Sequence, residues 1–464
     1  MYTIHLPKII KMKSKVCLLL LTVVAFAACK KNSDIMAPVV TKIDTLSNSI
    51  TTDMTLDANT SYVINGQLYV TNNATLTIPA GVTVSFVKMD EKEKKGVLVI
   101  TQGAKLIANG TADKPIVFTS AAGTKAPGDW GAVILLGKAP TNTVTGNVEG
   151  LPLSDNTRYG GTTADDNSGS LKYVRLEYCG GINPDEEGEW QVDKASGLCM
   201  ASVGSGTTVD NVMTVHSNDD AFQFVGGTVN ATHLIGFNNG DDDFDFDLGY
   251  QGKLQFLISY RSGLSSSHSQ RANGFESYND EFPTTNAPLT RPVVANMTII
   301  GPAGTETAKT SLNQGVYIRK GTRFVVENSI IAEYPQGGLM VCNRTRPVLL
   351  TGIESFFKYN LVNSDTASRT FSWDKDFAVV GDPELQQFAL NSVNNNVLIT
   401  NSADLKLKTM YGGVPDLTPD AGSPALTGAN FNDADFSSFF TKVAYRGAIG
   451  ADNWAAANNW AVWK

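Results

Sequence analysis

The sequence predicts an all-β fold, a single parallel β-helix or solenoid with capped ends and long loop insertions, on three observations. Runs of three to five β-formers are separated by Gly, Asn, Asp or Thr turns, no stretch carries a helical period, and one phrase recurs in register. In that phrase Gly66, Leu68, Ala74 and Leu76 return as Gly96, Leu98, Ala104 and Leu106, with the charged insert Asp90 to Lys95 accounting for the excess over a repeat of about 23 residues. Each coil of such a stack supplies short strands that pair with the next coil, and every second side chain enters the core. An antiparallel sandwich would instead want hairpin turns and strands of more even length. The 464 residues are 42% hydrophobic and 18% charged, which excludes a disordered chain and a multispan membrane protein. A formal charge of −8 without a Lys/Arg-rich tract excludes nucleic acid as partner.

Taken in order, Lys8, Lys11, Lys13 and Lys15 precede an apolar run from Val16 to Ala28, the charged and apolar regions of a secretory signal too short to span a bilayer. The run ends Val24-Ala25-Phe26-Ala27-Ala28-Cys29, which resembles a bacterial lipoprotein signal peptide. The resemblance implies removal of residues 1–28 and lipidation of Cys29, with membrane attachment through the N-terminal acyl chains. Lys30, where an Asp would retain the chain at the inner membrane, implies an outer-membrane lipoprotein of the cell envelope. Residues 29–49 read as a flexible tether, 50–430 as the β-helix and 431–464 as an aromatic C-terminal cap. In that cap Phe431, Phe436, Phe439, Phe440, Trp454, Trp460 and Trp463 would plug the last coil, while Thr51 to Ile64 covers the other end. Cys17 leaves with the signal and Cys29 with the lipid. Cys179, Cys199 and Cys342 then allow at most one disulfide, Cys179 with Cys199, or remain buried free thiols.

Several phrases along the middle of the chain point to a family. GTADKPIVFTS (Gly110 to Ser120), GDWGAVILLGKAP (Gly128 to Pro140), SGSLKYVRLEYCG (Ser168 to Gly180), SNDDAFQFVGGTVN (Ser217 to Asn230), GDDDFDFDLGY (Gly240 to Tyr250) and NGFESYND (Asn273 to Asp280) are similar to those of bacterial secreted and lipoprotein right-handed parallel β-helices of the pectin-lyase-like fold. AGSPAL (Ala421 to Leu426) and YRGAIG (Tyr445 to Gly450) extend the resemblance toward the C-terminus. It implies a right-handed coil and an envelope address, and carries over no catalytic residue.

Chemistry concentrates in an acidic ladder. Between Ser217 and Gly252 stand seven aspartates, Asp219, Asp220, Asp241, Asp242, Asp243, Asp245 and Asp247, with no Lys or Arg. Aligning Asp219-Asp220 with Asp242-Asp243, 23 positions on, places the pairs on consecutive coils about 4.8 Å apart. Phe222 and Phe224 over Phe244 and Phe246 would point inward, leaving Gln223 and Asp245 outward in a column that Glu276 and Tyr317 continue. Carboxylates about 5 Å apart repel by roughly 3 kcal/mol at an effective dielectric near 20, so something must offset them. A Ca²⁺ ion taking six to eight oxygens is one answer. Protonation of one acid of a pair, which general acid and base catalysis exploits, is a second; solvated turn aspartates bonded to local amides are a third. His216 and His268 stand near this face in sequence, and Arg271, Arg319, Lys320 and Arg323 are cations able to meet an acidic ligand. The long Gly-rich loop from Thr141 to Asp166 is a candidate binding wall.

These residues point to a lipid-anchored envelope β-helix whose acidic face binds Ca²⁺ and a glycan. The alternative is a polysaccharide lyase or glycoside hydrolase acting at the same ladder. A lyase would use Ca²⁺ to acidify a proton beside a uronate carboxylate, with Arg319 or Arg271 as base. The paired aspartates are similar to those of polygalacturonases, but the Gly-His-Gly element of those hydrolases does not occur. A structural role, or service to an outer-membrane transporter as partner, would leave the ladder without chemistry.

Overall fold

The computed structural model describes residues 42–47, 49–88, 96–143, 146–148, 151, 154–180, 196–262, 272–280, 285–302, 313–375 and 378–464. The signal segment, Cys29, the insert Asp90 to Lys95, His268 and Arg271 lie outside the described residues.

Strict alternation of burial is the local cause of the architecture. In Thr75–Ile78 and Thr83–Phe86 the threonines and serine are half-exposed, while Leu76, Ile78, Val84 and Phe86 enter the interior. A turn every four or five residues folds such strands into coils with three faces. Thr75–Ile78 stacks in parallel on Met54–Thr55 and Lys105–Asn109 in the first face, and Thr83–Phe86 on Thr60–Ile64 and Ile116–Ser120 in the second. In the third face Gln67–Val70, Val97–Ile100 and Val133–Leu136 follow one another. The predicted repeat is present: Leu68 pairs with Leu98 and Leu76 with Leu106. The fold is a right-handed parallel β-helix.

From Gly169 onward one long strand per coil serves both the first and second faces: Gly169–Glu177, Thr208–Val215, Asn230–Phe237, Lys253–Tyr260 and Val293–Ile300. Each bends at a single left-handed residue, Tyr173, Asn211, His233, Phe256 or Asn296, with φ between 49° and 61°. The third face continues through Leu198–Ala201, Phe222–Val225, Phe244–Asp247, Phe275–Ser277, Gln314–Ile318 and Gly337–Cys342. Phe222 stacks on Phe244 at 5.5 Å and Phe224 on Phe246 at 4.8 Å, so the interior is filled by like residues from successive coils. One apolar cluster runs from Leu46 to Ala389.

Both expected boundaries shift: among the described residues the coil-to-coil pairing reaches Val397–Leu398, well short of residue 430, and at the other end it begins earlier than residue 50. Lys42–Leu46, placed in the tether, is a strand paired in parallel with Thr60–Ile64 over five residues, because the first complete coil offers an open edge that any extended segment satisfies. Residues 431–464 do not plug the last coil. The short helices Thr345–Thr351 and Pro383–Ala389 carry Leu349, Leu385 and Ala389 into the interior cluster near its C-terminal end. Pro383–Ala389 starts there because Asp382 accepts from the amides of Glu384 and Leu385 and Pro383 occupies the first turn.

The C-terminal segment is instead a strap along the flank. Phe431, Phe436 and Phe440 pack on Val293, Ala295 and Val325, and Trp460 and Trp463 on Met213, Ile235, Ile258 and Tyr260. Arg175 donates to the carbonyls of Asn459 at 2.6 Å and Trp460 at 3.0 Å, so the strap runs back toward the early coils. Its cause is the outward side of the long strands, which is itself apolar at Met213, Val215, Ile235, Phe237 and Ile258 and needs cover over several coils. No disulfide joins Cys179, Cys199 or Cys342 to one another. Cys179 belongs to the interior and Cys199 to the outer side of the third face, so their side chains do not meet.

Candidate functional site

The outward side of the third face changes character along the axis. One column, paired coil to coil, reads Tyr69, Val99, Ile134, Cys199, Gln223, Asp245, Glu276, Tyr317 and Met340. Its apolar part is covered by Val148, Leu151 and Tyr159, which pack on Val99, Ile134, Leu136 and Cys199. The described part of the loop expected to wall a binding site thus sheathes the apolar coils. At its start Thr141 and Asn142 bond to the carbonyls of Leu248 and Asn279, beside the acidic coils.

The acidic coils are in a register one residue shorter than the spacing suggests. Phe222 pairs with Phe244 and Gln223 with Asp245, a step of 22. Asp220 therefore stacks on Asp242, and Asp219 on Asp241, with the Asp241 amide donating to the Asp219 carbonyl at 3.4 Å and the Ala221 amide to the Asp242 carbonyl at 2.9 Å. The slip sends Asp243 to the opposite side of the backbone. Its carboxylate enters the interior, where Gly236 makes room: a Cβ on Gly236 would sit 2.6 Å from Asp243 Oδ1. There Asp243 accepts from Asn239 at 2.8 Å and Ser259 at 2.5 Å, and pairs with fully buried Arg261 at 3.2 Å.

Asp220 and Asp242 do two things at once. The Asp242 amide donates to Asp220 Oδ1 at 2.9 Å, the Asn273 amide to Asp242 Oδ1 at 2.5 Å, and the Gln314 amide to Asn273 Oδ1 at 3.1 Å. Each side chain at this position clamps the backbone of the next coil, so turn chemistry explains one oxygen per residue. The remaining oxygens converge outside. Ligand atoms of Asp219, Asp220 and Asp241 lie within 4.8 Å of one another, as do those of Asp242, Asp245 and Glu276. They line a cavity of about 200 Å³ with Ser196, Gln223, Tyr278, Arg319 and Lys320.

Burial first, then Asp219, Asp241 and Asp245, pushes the Asp220 carboxyl well above the usual carboxylate range. Burial and then Glu276, Asp241 and Asp220 do the same to Asp242. Asp245 is raised by burial, Asp247 and Glu276, against the pull of Arg319. Asp245 is 5% exposed, and its Oδ1 has no hydrogen-bond partner among the described residues. An all-oxygen donor set with such an orphaned atom fits a hard divalent cation.

The other expected residues divide. Glu276 lines the cavity and holds Arg319 Nη1 at 2.9 Å. Arg319, proposed as a lyase base, is raised further from neutrality, burial being outweighed by Glu276 and Tyr317, the wrong direction for that role. Asp247 points outward but accepts from Tyr278 Oη at 2.9 Å and belongs to neither carboxylate group. Tyr317 is one coil further on, donating to Asp374 at 2.5 Å under the Arg319 guanidinium. His216 is on the wrong flank: it stacks on Tyr178 at 5.6 Å, and its Nε2 lies 2.8 Å from the Lys464 carbonyl under the strap. The left-handed turn at His216, φ 54°, ends the second-face strand and turns its ring out beside Phe237. Arg323 pairs with Glu354 at 2.8 Å, outside the cavity. Ser196, Tyr278 and Arg261 were not legible as site residues; for Tyr278, alternation from Glu276 was the available signal.

Over residues 48–402 the chain matches the family described as the pectate-lyase-like β-helix domain. Neither a curated relative nor a solved structure matches it.

Proposed function

Because the chain belongs to the pectate-lyase-like β-helix family and a group of carboxylates around an unpartnered Asp245 oxygen opens on the third face, we propose that the acidic cavity binds Ca²⁺ and presents it to an acidic glycan. The observation that carries this reading is Asp245 Oδ1, buried among carboxylates without a donor. Asp242, Asp245 and Glu276 would hold the cation, with Asp219, Asp220 and Asp241 offering a second set of oxygens on the neighbouring coil. When bound, Ca²⁺ would neutralise the carboxylates and supply an electropositive point for a sugar carboxylate. Lys320 and Tyr278 stand at the same cavity, Lys320 Nζ lying 5.0 Å from the Tyr278 ring centre.

In this reading the body is held at the cell envelope through lipidated Cys29, a point tested by fatty-acid labelling of the wild-type chain against Cys29→Ser. Among the described residues no helix is long and apolar enough to cross a membrane. Calorimetric titration of the purified chain with Ca²⁺ tests the site. Saturable heat below about 1 mM, with a rise in melting temperature, is the expected result. The absence of both the heat and the shift refutes it. Family membership favours a second reading, cleavage of acidic polysaccharide. Incubation with uronate polymers, monitored for unsaturated products and new reducing ends, separates cleavage from binding.

A further inference from the structure

We infer that Arg261 is a built-in counter-cation of the acidic cavity, a positioning residue that sets how strongly the cavity binds a divalent cation; the inference rests on the cation reading above. Arg261 follows the strand Lys253–Tyr260 and is fully buried, yet a guanidinium stays charged in a protein. Its Nε lies 3.2 Å from Asp243 Oδ2, and its Nη2 donates to the carbonyl of Asp241. It thus grips the turn Asp241-Asp242-Asp243 from the core side, while Asp241 and Asp242 face the cavity from the other. Asp243, Tyr334 and Asp242 stabilise its charge against burial.

One positive and one negative charge therefore stand behind the cavity, and their removal has opposite consequences. Without Arg261 the cavity loses a positive neighbour and a divalent cation gains. Without the charge of Asp243, Arg261 is less neutralised and repels the cation more. A residue that merely props the turn would weaken binding whichever partner were lost.

The experiment titrates wild type, Arg261→Met and Asp243→Asn with Ca²⁺ by calorimetry. Arg261→Met should bind at least about tenfold more tightly and Asp243→Asn at least about tenfold more weakly, a floor well below the Coulomb energy of one charge acting on a nearby divalent ion at an effective dielectric near 20. Weaker binding by both, or unchanged binding by either, overturns the inference. Should Arg261→Met fail to fold, Asp243→Asn decides alone, because Asn is nearly isosteric and unchanged affinity there is sufficient refutation. Wild type that takes up no Ca²⁺ overturns the cation reading, and the counter-cation is then judged from melts in chelator. There Arg261→Met should lower the melting temperature less in an Asp242→Asn background than in wild type; equal losses overturn it.

Discussion

Replacing Asp242 by Asn separates its two roles. Asn273 occupies the same position one coil later and accepts the Gln314 amide through Oδ1, so an Asn at 242 can accept the Asn273 amide in the same way. Only the charge is lost. Within its group the ligand atoms of Asp242, Asp245 and Glu276 lie within 4.8 Å, where a like-charge pair costs about 3 kcal/mol at an effective dielectric near 20. Because the folded carboxyl is raised by burial and its neighbours, the native chain holds protons that the unfolded chain releases. Its stability is full below the unfolded carboxylate value near 3.9 and is lost as pH rises through the folded value. In chelator the wild type should therefore melt progressively lower as pH increases from about 4 to 8. Asp242→Asn should flatten that slope and gain about 2–3 kcal/mol at pH 8, a rise of several degrees. With Ca²⁺ the order should reverse, wild type gaining more from the ion. Thermal melts by circular dichroism at each pH, with chelator and with Ca²⁺, make the test. An Asp242→Asn chain that melts no higher than wild type in chelator at pH 8 refutes the charge argument.

Three further outcomes are expected. Phe246→Ala removes a ring stacked on Phe224 at 4.8 Å and should cost about 3–5 kcal/mol in denaturant melts, with a matching loss for Phe224→Ala. Deleting residues 451–464 uncovers Met213, Ile235 and Ile258, so the shortened chain should bind a hydrophobic dye and self-associate on size-exclusion chromatography while keeping its β spectrum. Burial pushes the Cys179 thiol up to about 12; a thiol reagent at pH 8, mapped by mass spectrometry, should modify half-exposed Cys342 and reach Cys179 only after unfolding.

Legibility followed periodicity. Leu68, Leu76, Leu98 and Leu106 announce the stack because inward positions in successive coils demand the same apolar type, and the phenylalanines at 222, 224, 244 and 246 fix one face in the same way. Those phenylalanines already held the step of 22; aligning aspartates by likeness gave 23 because three acids in a row offer two equivalent matches. The strap was misread for a different reason. Trp460 and Trp463 are plainly buried-type residues, but which apolar surface they cover depends on outward positions of distant strands, and alternation alone does not rank the end of a coil against its flank. His216 adjoins Asp219 in sequence, yet the corner between them sends the two side chains to different faces, which residue spacing cannot express.

Two of the three explanations offered for the acidic ladder coexist in the structure, coil-to-coil bonding by the aspartates and carboxyls raised toward their protonated form, and the cation is the proposal made above. Turn chemistry in the acidic coils uses an acceptor before the next third-face strand, and Asp220, Asp242 and Asn273 each supply one. Asn273 shows that a neutral acceptor does this as well, so coil-to-coil bonding gives no reason for charge at 220 and 242. The excess charge is expensive: stacking at about 4.8 Å forbids the aspartates to move apart, and the folded chain answers by raising their carboxyls and by burying Arg261 behind them. A fold that could use amides at these rungs but keeps six carboxyl groups around one cavity carries a cost that stability does not recover. In the proposed reading, metal coordination would turn that cost into binding energy, since the repulsion relieved on entry of a divalent cation would add to its affinity. The Asn-for-Asp exchange within the ladder is thus the point at which structure and function separate, and the chelator and Ca²⁺ arms of one melting experiment read them independently.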